Sequence, residues 1–417
     1  MFNLFGKSAR HRRQSAVAGA MLGGVLSIAS FPTLFLNEGR AVKTARSLQE
    51  GAASVVSVDS DQVDSTCEGK FVHLSGEART DEMLTDDVFG VEVNAIRLTR
   101  SVEMYQWKEL EEKVTRKVDG KSETETRFAY EKIWADSHLD SSKYHEPSGH
   151  ENPANFPFEP RSIEAKQVDI GAYQLSQSLI AKIDQAESLS VDLSKVPSTL
   201  ASNLRPDGGV QSSATGFYWM HSSVSKPEVQ TGTSAEANSV QDQVAADKAV
   251  AAADEPQIGD TRIHFAVTRP TEVSVMAQQT GSSFEPFKTH SGRSLNMLSS
   301  GVVSAAAMIE QAETENKILT WMLRIAGTAM IVFGIGLVIR PLSSMTESIP
   351  LVGSLVNMGA TLVAVLLGGA MALMTIAVAW LFYRPLIAIP LIVISCAVMY
   401  YLFKQASKSQ VEVVSAS

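Results

Sequence analysis

The chain has 417 residues, of which 45% are hydrophobic and 19% charged, with a formal net charge of −9. Its acids lie mainly in the polar stretch from Arg40 to Lys317; this excludes general nucleic-acid binding, which needs Lys and Arg to replace released counterions. Its two cysteines fall one in the polar part, Cys67, and one in an apolar run, Cys396, so neither a disulfide within the polar part nor a cysteine-built metal cluster is available.

In chain order, residues 1–15 carry Lys7, Arg10, Arg12 and Arg13, the mark of a cytoplasmic N-terminus. Residues 16–36 carry no charge and suffice to cross a hydrocarbon core of about 30 Å as transmembrane helix 1. An export signal is the competing reading, with a weak cleavage site near Ala29. The apolar run continues through Leu36, longer than an export h-region needs, and this favours a retained anchor. The strip "NEGRAVKTARSLQEG" (37–51) follows at once. It reads as an amphipathic collar, with Arg40 and Lys43 turned to headgroup phosphates and Glu38 and Glu50 to nearby arginines.

Residues 37–317 read as the soluble domain. Stretches 69–78, 90–109, 124–134 and 260–279 alternate in the manner of strands, and the Asp119-Gly120 step predicts a hairpin between two of them. Helical stretches are expected at 174–189 and 300–316. Residues 231–255 are rich in Ala, Ser, Gln and Asp and hold no aromatic residue, the composition of a surface insertion. "YHEPSGHEN" (144–152) offers His145, Glu146, His150 and Glu151. Its histidines stand five apart with Pro147 and Gly149 between, which breaks the one-face spacing of a zinc protease helix. A loop with His150 hydrogen-bonded locally is expected instead. In "VEMYQW" (102–107), strand alternation sets Met104 and Gln106 against Tyr105 and Trp107; core packing is the expectation, and an interaction surface formed by Tyr105, Trp107 and His150 the other reading.

Residues 318–339 form a second span, interrupted by Arg324. A hairpin of spans follows at 350–381 and 386–403, turning at "FYRPL" (382–386). Four spans return the tail 404–417, with Lys404 and Lys408, to the cytoplasmic side. The fold expected is α+β: a multi-pass membrane protein with four transmembrane helices and a large non-cytoplasmic, mostly antiparallel domain between spans 1 and 2. Arg324 would lie about 10 Å into its span, where an arginine costs about 2.5–3.5 kcal/mol unless partnered or snorkelling. Arg384 sits at the far-side turn. These two, with Glu38, Arg40 and Lys43, form a candidate polar girdle that binds lipid phosphates or pairs internally. Gly334, Gly336, Gly359, Gly368 and Gly369 allow close helix approach, and Asn357 is a candidate polar contact between helices.

The collar "NEGRAVKTARSLQEG", "VEMYQW", "GHENP" (149–153), "GDTRIHF" (259–265), "LRIAG" (323–327) and "WLFYRPL" (380–386) occur in that order. Together they make the chain resemble the transmembrane protein 43 family over most of residues 30–400. The insertion 231–255 departs from that pattern. The resemblance implies one N-terminal span, a large non-cytoplasmic domain and three C-terminal spans. For eukaryotic members it implies residence in the endoplasmic reticulum and inner nuclear membrane, with roles in nuclear-envelope organisation and lipid metabolism. A bacterial member would sit in the inner membrane with its domain in the periplasm, and the absence of N-x-S/T acceptors from the far-side stretch favours that source. The function expected is a non-enzymatic membrane scaffold. Its partners would be membrane lipids, integral-membrane or far-side proteins and further copies of the chain, and no catalytic residue, cofactor or metal ligand is assigned. A channel-like assembly and a lipid-acting hydrolase are the alternatives; the first needs more polar lining than these spans offer, the second a nucleophile or metal site.

Overall fold

A computed structural model of the chain describes residues 4–118, 121–201, 204–206, 213–214, 216–219, 256–344, 350–390, 392–394 and 397. The first element is one helix of 51 residues, α1 (Leu4–Ser54), about 76 Å long at 1.5 Å per residue. Span and collar are therefore a single rod. Pro32 lies inside it, as prolines do in membrane helices whose neighbours hold the backbone in place.

The domain is built on two seven-stranded sheets. In the first, β1 (Phe71–Arg79) pairs antiparallel with a late strand, Thr271–Thr280. In the second, β2 (Arg97–Val118) forms a hairpin with β3 (Lys121–Ala135) and pairs on its other edge with β4 (Thr261–Thr268); the late strand of the first sheet is β5 (Thr271–Thr280). These long pairings are antiparallel, while the short Val56–Ser57 runs parallel to β1. Period-two burial is plain in β4, where Thr261, Ile263, Phe265 and Val267 point inward. They meet Leu74, Leu98, Val102, Val273 and Val275 in one core shared by both sheets.

β5 is buried on both faces, and the reason positions everything that follows. Val273 and Val275 enter the shared core, whereas Met276 faces the other way, onto Leu48 of α1 and Met308 and Ile309 of α2 (Ala305–Ser344). Both helices thus run on from their apolar segments and dock on the back of the first sheet. α3 (Pro350–Tyr383) joins them, with Leu34, Ile331 and Ala372 forming an apolar seam between the three helices. A Cβ on Gly327 would fall 2.6 Å from the Leu34 side chain, so only glycine lets α1 and α2 meet there. Gly334 and Gly368 also sit at crossings, while Gly336, Gly359 and Gly369 face open space among the described residues.

Several expectations change. Residues 174–189 are not one helix: Gln177–Ile180 makes a single turn, and Glu187–Ser188 pairs with β4. The apolar residues at helical spacing, Leu179, Ile180 and Ile183, are all buried in the shared core, which a turn and a strand achieve as well as a helix. The stretch 90–109 splits into Val91–Asn94 and β2, and β2 runs nine residues further, to Val118. The helix expected at 300–316 starts at Ala305 and continues into the apolar segment. The Asp119-Gly120 step, the insertion 231–255 and the tail 404–417 lie outside the described residues, although Val118 and Lys121 are paired in the hairpin register. Of 386–403, the described part begins a short apolar helix, Pro385–Ile394.

Candidate functional site

The polar residues of the helix bundle gather at its domain end. On α2, Asn316, Thr320 and Arg324 stand one turn apart and share a face; that face meets Asn37, Glu38, Arg40 and Ala41 of α1. Asn37 Nδ2 donates to the Thr320 carbonyl at 3.0 Å, and Asn316 Nδ2 to the Ala41 carbonyl at 3.0 Å. Arg40 donates to Asn316 Oδ1 at 2.9 Å, to Thr320 Oγ1 at 3.0 Å and to Asn37 Oδ1 at 3.2 Å. Side chains 280 residues apart in sequence therefore close a ladder between two helices.

At the centre lies Glu38, with no exposed surface. Arg324 donates to it from Nε at 2.6 Å and from Nη2 at 2.8 Å, and Trp380 Nε1 of α3 donates at 2.9 Å. One carboxylate so receives three bonds from two other helices, in the bidentate geometry that suits an arginine. The Arg324 guanidinium also lies over the Trp321 ring, 4.9 Å from its centroid. Further toward the domain, Arg46 donates to the Tyr383 carbonyl at 3.0 Å, and Ser47 and Thr289 share a hydroxyl contact of 2.7 Å. His290 donates its backbone N–H to Glu50 at 2.9 Å.

Of the girdle residues read from the sequence, Glu38 and Arg324 pair directly, and Arg384 lies in the same cluster with its guanidinium over the Trp380 ring. Arg40 turns to Asn316 and Thr320 rather than outward, and Lys43 is exposed on the rod away from this cluster. Sequence reasoning missed Trp380 as a donor and Asn316 and Thr320 as the ladder; the latter pair carries a legible signal, since polar residues four apart lead straight to Arg324.

A model of the family described as Transmembrane protein 43 matches residues 104–385. The human protein named Transmembrane protein 43 is 36% identical over 380 residues, 90% of this chain and 88% of its own length. The chain belongs to the transmembrane protein 43 family. The mouse protein of that name is 35% identical over 377 residues, 90% of this chain and 87% of its own, and a fruit-fly homolog 27% identical over 378 residues, 88% and 89%. No solved structure matches. Among the described residues of this family member, three helices are long and apolar enough to cross a membrane, within Ala18–Ser54, Ala305–Ile339 and Thr361–Tyr383. It is an integral membrane protein with an α+β, largely antiparallel domain.

A second cluster of this transmembrane protein 43 family member lies where the β2–β3 hairpin leaves the sheet. Tyr105 and Trp107 are half-exposed, and Val102, Met104 and Gln106 are buried; the core packing expected for the aromatics does not occur, because the face they occupy carries other aromatics instead of a second layer. Tyr105 packs against Trp134 at 5.2 Å, and Trp107 meets the His150 edge at 4.8 Å. His150 stacks on Tyr130 at 3.7 Å and its Nδ1 lies 3.0 Å from the Glu146 carbonyl. His145 stacks on Phe128. Asn152 explains its motif: it accepts from the Trp107 N–H at 2.7 Å and donates to the Trp107 carbonyl at 2.9 Å, as a paired strand would. Burial and then the Glu109 carboxylate raise the Tyr130 phenol above its ordinary value, and burial raises Tyr144. Both remain protonated donors at neutral pH. Ser142 and Lys143 hold the Asp140 carboxyl down at about 2, fixing the turn that begins this loop. No group of three His, Cys, Asp or Glu side chains converges on a metal position among the described residues.

Proposed function

We propose that this protein is a non-enzymatic membrane scaffold that carries a folded domain rigidly on one face of a bilayer and organises protein complexes or lipids there. The observation that carries this reading is the continuity of α1 and α2. Each passes from an apolar segment into the domain without a break, and Glu38, Arg324 and Trp380 lock the three helices where they enter it. A flexible tether would suffice for an enzyme that only needs anchoring; two continuous rods joined by a buried ion pair hold a platform at fixed height and orientation. The buried faces of Leu34, Asn37 and Glu38 support a first span that is retained, since its removal would strip α2 and α3 of their partner.

In this reading the chain crosses four times, with 386–403 as the last span, both termini cytoplasmic and the domain on the far side. The compartment is the endoplasmic reticulum and inner nuclear membrane in a eukaryote, or the bacterial inner membrane with the domain in the periplasm. In sealed vesicles of known orientation, Ser148→Cys reacts with an impermeant maleimide only from the far side, and Lys408→Cys only from the cytoplasmic side. Labelling of both from one side contradicts the four-span topology.

The aromatic face at Tyr105, Trp107 and His150 is the partner surface in this reading, because aromatics of this kind anchor interfaces. Cross-linking of the full chain in its native membrane captures a defined set of membrane or far-side proteins, and Tyr105→Ser with Trp107→Ser loses that set while the domain keeps its thermal midpoint. The scaffold reading fails if the purified chain turns over lipid in a manner abolished by His150→Ala, or conducts ions in a planar bilayer.

A further inference from the structure

We propose that the cleft between α1, α2 and the start of the helix after Arg384 is a binding site for one anionic phospholipid, with its phosphate held between Arg46 and Arg384. The proposal rests on the part of the preceding reading in which the three apolar helices span a bilayer. The cleft encloses about 820 Å³, within the range of ordinary ligand sites. It lies at the polar boundary of the spans. Lys317 immediately precedes the apolar run that opens with Ile318, and Arg384 immediately follows α3.

Charge in the cleft is unbalanced. Four cations line it, Arg46, Lys317, Arg324 and Arg384, against one carboxylate, Glu313. Arg324 is neutralised from behind by Glu38 at 2.6 Å, and Lys317 reaches Glu313 at 3.8 Å. Among the described residues no carboxylate forms an ion pair with Arg46 or Arg384. The Arg46 bond to the Tyr383 carbonyl, 3.0 Å, ties it to the residue beside Arg384, and both arginines line the cleft. Two arginines with no carboxylate bonded to them among the described residues, at a membrane boundary, are matched by a phosphate, which guanidinium binds through paired N–H donors.

The rest of the lining includes an apolar, solvent-open stretch. Trp321, Leu386 and Ile387 form it, and Leu386 is 90% exposed. A free anion would leave that stretch uncovered, whereas a phospholipid sets its phosphate against the arginines and its acyl chains along Trp321, Leu386 and Ile387. The shape and the two-sided chemistry therefore select a lipid headgroup over inorganic phosphate.

The test is native mass spectrometry of the full chain in mild detergent, titrated separately with dioleoyl phosphatidylglycerol, dioleoyl phosphatidylcholine and inorganic phosphate. The expected result is one tightly held phosphatidylglycerol per chain, retained about tenfold over phosphatidylcholine, as befits bonds between charged groups. Arg46→Gln with Arg384→Gln abolishes the preference, while Lys288→Gln on the domain leaves it intact. Equal retention of the two lipids by the wild-type chain, or an unchanged preference in the double variant, overturns the proposal; so does inorganic phosphate that displaces the lipid, which would make the site one for free anions. A photoreactive phosphatidylglycerol decides the matter on the wild-type chain if the double variant does not fold. Adducts within 41–49, 313–324 or 380–387 support the site, and adducts confined elsewhere overturn it. A wild-type chain that shows no lipid preference but keeps its far-side cross-links removes the lipid site and leaves the scaffold standing. The converse pattern removes the scaffold and leaves the site.

Discussion

Glu38→Leu lowers the stability of the helix bundle by about 3 kcal/mol, the low end of the range for breaking a buried ion pair from one side. The loss has two sources. Arg324 is left with 16% of its side chain exposed, too little to recover its hydration in place, and Trp380 Nε1 loses its acceptor. The Trp321 face restores only a small part, since a ring attracts a cation far less than a carboxylate does. The low end applies because the long arginine stem lets part of the charge snorkel toward the boundary. Unfolding in mixed micelles with tryptophan fluorescence reads this through Trp321 and Trp380, which flank the ion pair, against the signal of the domain's Trp107, Trp134 and Trp219. A variant as stable as the wild type would mean that Arg324 is satisfied elsewhere and that the three helices are not held through Glu38.

The second large effect lies within the domain. Asp86→Ala is expected to cost about 3–5 kcal/mol, because it strands a guanidinium in the core. Arg100 and Asp86 are only 6% and 1% exposed and pair at 2.6 Å. Arg100 also donates to the Glu159 carbonyl at 3.1 and 2.9 Å, and the Phe89 N–H donates to Asp86 at 3.2 Å. The pair therefore fastens the loop after Thr85 and the approach to Arg161 onto β2. Arg100→Leu alone strands the carboxylate and costs a similar amount. A fall in the thermal midpoint of order 10 °C, with the membrane helices still intact, is the expected reading at 2–4 °C per kcal/mol for a domain of this size class. A change of under about 1 °C would contradict a buried, mutually dependent pair.

The membrane helices were legible because a bilayer imposes one rule, an apolar run of sufficient length, that 16–36 satisfies throughout and 318–339 satisfies apart from Arg324. Period-two alternation revealed β4 for a related reason: one of its faces is buried and the other is not. The outer half of the β2–β3 hairpin, "KELEEKVTRKV" against "KSETETRFAYEKIW", is charged on both faces. In 110–118 no alternation marks the strand, so β2's extent beyond Glu109 was not legible, whereas 124–134 of β3 alternates and was read. The turn-and-strand segment 174–189 misled for the opposite reason. Leu179, Ile180 and Ile183 fit a helical period, but tertiary pairing of Glu187 and Ser188 with β4 decided the backbone.

The candidate site divides in the same way. Arg324 and Arg384 stood out as charges in apolar surroundings, and Glu38 as an acid at a span's end. That they form one girdle was read from the sequence, but which acid bonds which arginine was not, because Glu38 and Arg324 are 286 positions apart. Trp380 gave no sign of its role, since a tryptophan at the end of a span is expected at the headgroup level in any case. The cleft needs Arg46 and Arg384, 338 positions apart in the chain, to line one space, and no sequence pattern joins them.

The measurement that bears most directly on the account is a double-mutant cycle on Glu38→Leu and Arg324→Leu in the full chain, read by reversible unfolding in mixed micelles. The account predicts strong coupling: each single variant loses about 3 kcal/mol, and the double variant, in which both charges are replaced by apolar groups, recovers most of that loss. Single effects that add to within about 0.5 kcal/mol would show two independent side chains. The rods would then be joined by their apolar seam and the Asn37–Arg40–Asn316–Thr320 ladder, and the rigid platform would lose the ion pair on which it is built.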